Sequence, residues 1–243
     1  MSKYIKLQIN YLFSHMFIIC YILISLVILI GIYFSSSIDL NYTYIDGFRS
    51  EFFSEYLNQS SLIIEVLITI TAIFLAGILT VKKNEFLISY TVTSYMEKLY
   101  FVIARILVAL LTILSMIIVN GLFFLLITEL LTPYSVDIME FINLMTWIFF
   151  QASFFQIIAF LLISIFNYFL VILLPLVTFW YKKTIFSFSE IESGFSKFIL
   201  KNIPSFELLN NEVVTYRNFY TYLLLFIIVL IITCLIDVIK DCS

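Results

Sequence analysis

Apolar residues come in long blocks along this chain, separated by short polar intervals. Six blocks predict six membrane-spanning helices, over residues 15–34, 61–81, 101–128, 141–163, 167–181 and 219–236. The third block is the clearest. Between Arg105 and Glu129 run 23 residues without a charge, enough to cross a bilayer alone. The fourth and fifth must be a folded-back pair. No charge lies between Glu140 and Lys182, and those 41 residues would extend about 60 Å as one helix, about twice a bilayer core. The reversal is expected near Ser164-Ile165-Phe166-Asn167, with Pro175 kinking the second helix of the pair.

The intervals carry the polar pattern. Residues 1–14 place Lys3 and Lys6 among Tyr4, Ile5, Leu7, Ile9, Tyr11 and Leu12, which predicts an amphipathic helix lying at the inner membrane surface. His15, the only histidine, falls where this helix meets the first span. Residues 35–60 read as an outer polar loop, with Asp46-Gly47 as a turn and a short surface helix around Phe52, Phe53 and Tyr56. The interval 82–105 has Lys82, Lys83, Lys98 and Arg105 beside Glu85 and Glu97. Ser94 followed by Glu97 has the form of a capping box and predicts a helix start near Tyr95. Residues 182–217 mix Lys182, Lys183, Lys197 and Lys201 with Glu190, Glu192, Glu207 and Glu212, interrupted by Gly194 and Pro204.

Composition fits that reading. Apolar residues make up 63% of the 243, charged residues 12%, and mean hydropathy is +1.12. A soluble domain carries about twice that share of charge. The net charge of −3 leaves no basic footprint for nucleic acid. Six spans put both termini on one side. With the termini inside, Lys3, Lys6, Lys82, Lys83, Lys98, Arg105 and Lys240 are inside, and Arg49, Lys182, Lys183, Lys197, Lys201 and Arg217 are outside. Seven against six leaves the positive-inside rule nearly silent, and the early segments favour termini in the cytoplasm of a plasma-membrane protein. The first block has no small-residue cleavage pattern after it and is read as a retained span.

Candidate chemistry is sparse. One histidine cannot make a two-histidine metal site, and three separated cysteines form no metal spacing. No glycine-rich phosphate loop is present, so ATP hydrolysis is not expected on this chain, nor any cofactor bound to it. No Ser, His and acid set stands ready for acyl transfer. Among the polar residues inside the blocks, Glu65 in the second and Gln151 and Gln156 in the fourth stand out. A carboxylate in a span is a functional-site hypothesis, while glutamines there serve equally as interhelical hydrogen-bond donors.

The layout resembles the permease subunits of ATP-binding-cassette exporters of the ABC-2 type. In them a basic amphipathic elbow helix precedes six spans, as residues 1–14 do here. A cytoplasmic segment between the second and third spans meets the ATPase, and Lys82-Lys83-Asn84-Glu85-Phe86-Leu87 through Thr93-Ser94 is similar to it, although without the glycine and proline often found there. Short helices dip into the outer leaflet between the fifth and sixth spans, and residues 182–217, with Lys201-Asn202-Ile203-Pro204-Ser205-Phe206, look like that region. The resemblance implies an all-α permease that is not itself an enzyme. Two copies of a separate ATPase, carrying ATP and magnesium, would dock on it through Lys82, Lys83, Glu85, Phe86, Glu97 and Lys98. A second permease, identical or related, would complete the path. The charge-poor, aromatic spans suit an amphiphilic cargo such as a hydrophobic peptide or a lipid-like compound, with Glu65, Gln151 and Gln156 along the path. Two other readings stay open: a membrane scaffold or immunity-type protein that binds a peptide without ATP, and a membrane enzyme using Glu65 or Glu129.

Overall fold

Among the described residues, each predicted apolar block is helical over most of its length. The computed structural model of the protein describes residues 1–12, 15–40, 49–80, 94–131, 138–166, 168–187 and 216–240. Among these are seven α-helices: α1 (Ser2–Leu12), α2 (His15–Leu40), α3 (Arg49–Thr80), α4 (Tyr95–Leu131), α5 (Ile138–Phe166), α6 (Leu173–Ser187) and α7 (Tyr216–Lys240). A 3-10 turn, Phe169–Ile172, leads into α6. Ser60–Thr80, Tyr95–Leu130 and Phe141–Phe166 are long and apolar enough to cross a membrane, and Ile18–Phe34, Phe169–Tyr181 and Leu223–Ile236 are shorter apolar stretches. Three such helices point to a multi-pass membrane protein.

Three boundaries differ from the sequence reading. The polar interval after the first block is shorter than expected. α2 runs on to Leu40, and the helix expected on the outer surface near Phe52 is the continuous start of α3 from Arg49. Neither Gly nor Pro lies between Ile32 and Ile45 or between Ser50 and Ala76, and serines cost a helix only a few tenths of a kcal/mol each, so nothing stops either helix. The kink expected at Pro175 is replaced by a change of helix type at the start of α6. Pro175 is the third residue of α6, within the first turn, where a missing N–H breaks no bond inside that α-helix. At the other end of the scale, α4 has 37 residues and extends about 55 Å, so it projects beyond a bilayer core of about 30 Å. It ends two residues before Pro133.

The hairpin of the fourth and fifth blocks lies where charge spacing places it. The Phe155 and Phe179 rings meet edge to face with centroids 5.3 Å apart, and these two residues are equidistant in sequence from residue 167. Gly77 of α3 lets the turn of this hairpin sit close. A Cβ there would come 2.6 Å from Cε2 of Phe169.

Packing divides into two cores along the bundle. One joins the end of α3, the start of α4, the end of α5 and parts of α6 and α7, through residues such as Leu79, Val102, Phe155, Phe160, Ile163, Ile172, Phe179 and Cys234; Leu12 of α1 reaches it. The other joins α2, the middle of α3, the end of α4 and the start of α5, through Ile28, Ile32, Ile64, Ile68, Ile113, Phe124, Leu144 and Ile148. This is the alternation of up and down helices that short intervals dictate. The most extensive pairing is α3 on α5. α5 is so enclosed that all seven residues from Gln151 to Ile157 are buried. Outward faces are apolar as well. Leu107, Leu111, Leu114, Ile118, Leu122 and Leu126 form an exposed stripe on α4 at three- and four-residue spacing, suited to hydrocarbon.

Candidate functional site

Two polar constellations are buried in this apolar bundle. The first lies on the α3–α5 seam. Glu65 is 3% exposed and Gln151 2%, and the Nε2 of Gln151 donates to Oε1 of Glu65 at 2.6 Å. The sequence suggested that Glu65, about one turn into its block, could equally reach the headgroups. The structure turns it inward instead, beside Ile64 and Ile68 in the second core. Ser61 and Thr69, four residues either side of Glu65, are buried on the same helical face.

Gln156 does not join this pair. Five residues beyond Gln151, it lies about 140° around α5, and its amide N and O have no hydrogen-bond partner at 0% exposure. Ser60, Thr69 and Ser153 are buried with unpartnered hydroxyls. They contrast with Thr112, Thr128, Ser164 and Thr233, whose hydroxyls each donate to the carbonyl four residues back at 2.8 Å. That local bond is how a helix in an apolar setting satisfies a hydroxyl. An unpartnered buried group costs about 1–3 kcal/mol. Of these groups Thr69, one turn from Glu65 on the same face of α3, keeps unused polar capacity near the carboxylate. Asn120, in the charge-free run of α4, is buried and was missed by sequence reasoning; its Nδ2 donates to the Met116 carbonyl at 2.7 Å and to Oγ of Ser25 at 3.5 Å.

The second constellation lies where α1 meets the base of α4. The Ser94 hydroxyl accepts the backbone N–H of Glu97 at 3.3 Å, the cap that Ser94 and Glu97 predict, and α4 starts at Tyr95. Glu97, Phe101 and Arg105 follow at four-residue spacing along one face. Facing them, α1 buries Tyr4, Gln8 and Leu12, again four apart. The Tyr4 hydroxyl donates to the Glu97 carboxylate, and its ring meets Phe101 edge to face at 6.2 Å. The Arg105 guanidinium lies over the Phe101 ring, 5.1 Å from its centroid. Burial, and then the Glu97 charge and hydrogen bond, raise the Tyr4 phenol above its ordinary value. Gln8 is fully buried with both amide atoms unpartnered.

The predicted ATPase-contact residues divide between described and other parts of the chain. Lys82, Lys83, Glu85 and Phe86 lie outside the described residues. Glu97 and Lys98 are half-buried in the first turn of α4, and Glu97 has an internal partner in Tyr4. Glu129 is exposed near the far end of α4. The side chains of residues 182–217 also lie outside the described residues. Sequence reasoning missed Tyr4 and Gln8. Their four-residue spacing with Leu12 was visible, but a helix expected to lie on the membrane surface gave no reason to bury a glutamine.

No protein-family model and no curated protein matches the chain. A groove of about 270 Å³ lies between α4 and α5. It is lined by apolar residues including Leu114, Ile118, Gly121, Phe141 and Met145, with Thr146 as its one hydroxyl. Thr146 spends that hydroxyl on the Ile142 carbonyl at 2.7 Å, leaving a wall fit for a hydrocarbon chain.

Proposed function

We propose that the chain is the membrane-spanning permease subunit of an ATP-driven exporter of the ABC-2 type. On this reading its six apolar helices are the six spans and both termini are cytoplasmic. It pairs with a second permease, and two copies of a separate ATPase bind ATP and magnesium below the membrane. The cargo is amphiphilic, a hydrophobic peptide or a lipid-like compound, and catalysis resides on the ATPase. The observation that carries the reading is the junction of α1 with the first turn of α4. The amphipathic N-terminal helix is fastened, through Tyr4 and Glu97, to the end of the charged interval 82–98. An element that receives force from a soluble motor must be tied to a span in this way. The Glu65–Gln151 seam then supplies the polar contact between α3 and α5 against which a rocking motion would work.

The test is a pull-down of the tagged protein from its native membrane in mild detergent, with ATPase activity assayed on the eluate. A co-purifying ATPase lost in Glu85→Lys supports the permease reading. A clean chain, with no ATPase at any detergent strength, sinks it. The groove between α4 and α5 favours a second reading, a membrane scaffold or immunity protein that binds a hydrophobic peptide without ATP. Peptide binding by the isolated chain, unaffected by ATP, would distinguish that reading.

A further inference from the structure

We propose that α1 is a flap that docks on and lifts from the base of α4, with Tyr4 as its latch. Two opposed features of one interface carry this. The first holds α1 down. Tyr4 is buried, packs edge to face on Phe101 beside Ala104, and donates its hydroxyl to Glu97. The second pushes it off. One turn further along the same face of α1, Gln8 is buried at 0% exposure, and neither its amide nitrogen nor its carbonyl oxygen has a partner. Docking strips that amide of water and gives nothing in return; lifting α1 restores its hydrogen bonds. The unsatisfied amide costs about as much as the charge-assisted hydrogen bond contributes, so it lowers the free energy needed to lift α1 from α4.

The rest of α1 suits a movable piece. It has 11 residues, too few to hold a helix alone in water, so its order depends on what it rests against. Its chief packing partner among the described helices is α4. Its other face, with Lys3, Ile9 and Asn10, is exposed and mixed in polarity, as a helix at a headgroup boundary needs. Lifted from α4, α1 has a resting place on the membrane surface. The inference concerns the chain alone and stands whether or not an ATPase binds it.

Hydrogen exchange of the full chain in lipid nanodiscs tests the flap. In the native protein the α1 amides should exchange through a local opening, faster than the buried middle of α4. Tyr4→Phe removes the latch and should speed α1 exchange about tenfold or more, leaving α5 unchanged. Gln8→Leu removes the opposing amide and should slow α1 exchange. If Gln8→Leu speeds it, or if native α1 exchanges as slowly as mid-α4, the flap is overturned. Should Tyr4→Phe disturb the whole bundle, Glu97→Gln keeps an acceptor and weakens the latch without removing the ring contact. An α1 rate unmoved by Glu97→Gln would also overturn the proposal.

Discussion

Gln151 and Glu65 are 86 residues apart in sequence, yet the amide of one donates to the carboxylate of the other at 2.6 Å, across the largest helix pairing in the bundle. Interhelical hydrogen bonds in membranes average about 0.6 kcal/mol, and those to charged groups in proteins reach about 1.5–3 kcal/mol. Gln151→Leu should therefore destabilise the protein by about 1–3 kcal/mol, because it leaves the buried carboxylate short of a donor. Glu65→Leu with Gln151→Leu should recover most of that. A double-mutant cycle on unfolding in mixed detergent micelles measures it. Equal losses that simply add would show that the two side chains are not coupled.

Tyr4 gives a pH signature outside the membrane. Its raised phenol value means that the folded state holds the proton more tightly than the unfolded chain. The stabilisation is fully present below the ordinary phenol range, about pH 10, and is lost as pH rises through the raised value. Tyrosinate absorbance, taken as the difference between native protein and Tyr4→Phe, should show one late-titrating phenol. Glu97→Gln should bring it part of the way back, since burial is the larger cause and remains.

Gly77 should tolerate a small side chain better than a large one. A new Cβ would meet Phe169, whose ring is 42% exposed and free to swing outward. Gly77→Ala should cost less than about 1 kcal/mol, and Gly77→Leu about 1–3 kcal/mol through overpacking. Phe169→Ala should rescue the leucine variant in a thermal-unfolding assay. Failure of rescue would place the clash elsewhere.

The cap at Ser94 is exposed and local. Ser94→Ala should cost about 1 kcal/mol and raise exchange of the first α4 amides about fivefold, with Ser94→Asp restoring protection. No change in those amides would show that the hydroxyl contributes nothing to the start of α4.

Much of the helix plan could be read from charge spacing. The hairpin near residue 167 followed from an uncharged run too long for one crossing, and Phe155 on Phe179 shows the reversal. The start of α4 followed from the pair Ser94 and Glu97. The continuous entry of Arg49–Ser60 into α3 did not, because polar composition suggested a loop while the absence of Gly and Pro permitted a helix. The Glu65–Gln151 pair was half legible: each residue stood out in an apolar block, but their meeting depends on the register of two helices. The burial of Tyr4 and Gln8 was invisible, since amphipathic spacing reports that a face is apolar and not whether lipid or another helix covers it.

α5 leaves little room for sequence drift. Two turns, from Gln151 to Ile157, have no outward side, so a change in volume there presses on a neighbouring helix whichever way it points. On α2, α4 or α7 a leucine facing lipid exchanges for an isoleucine or phenylalanine with no partner to consult. In any collection of functional variants of this protein, the middle of α5 should be the most invariant stretch of apolar sequence, and substitutions there should come in compensating pairs.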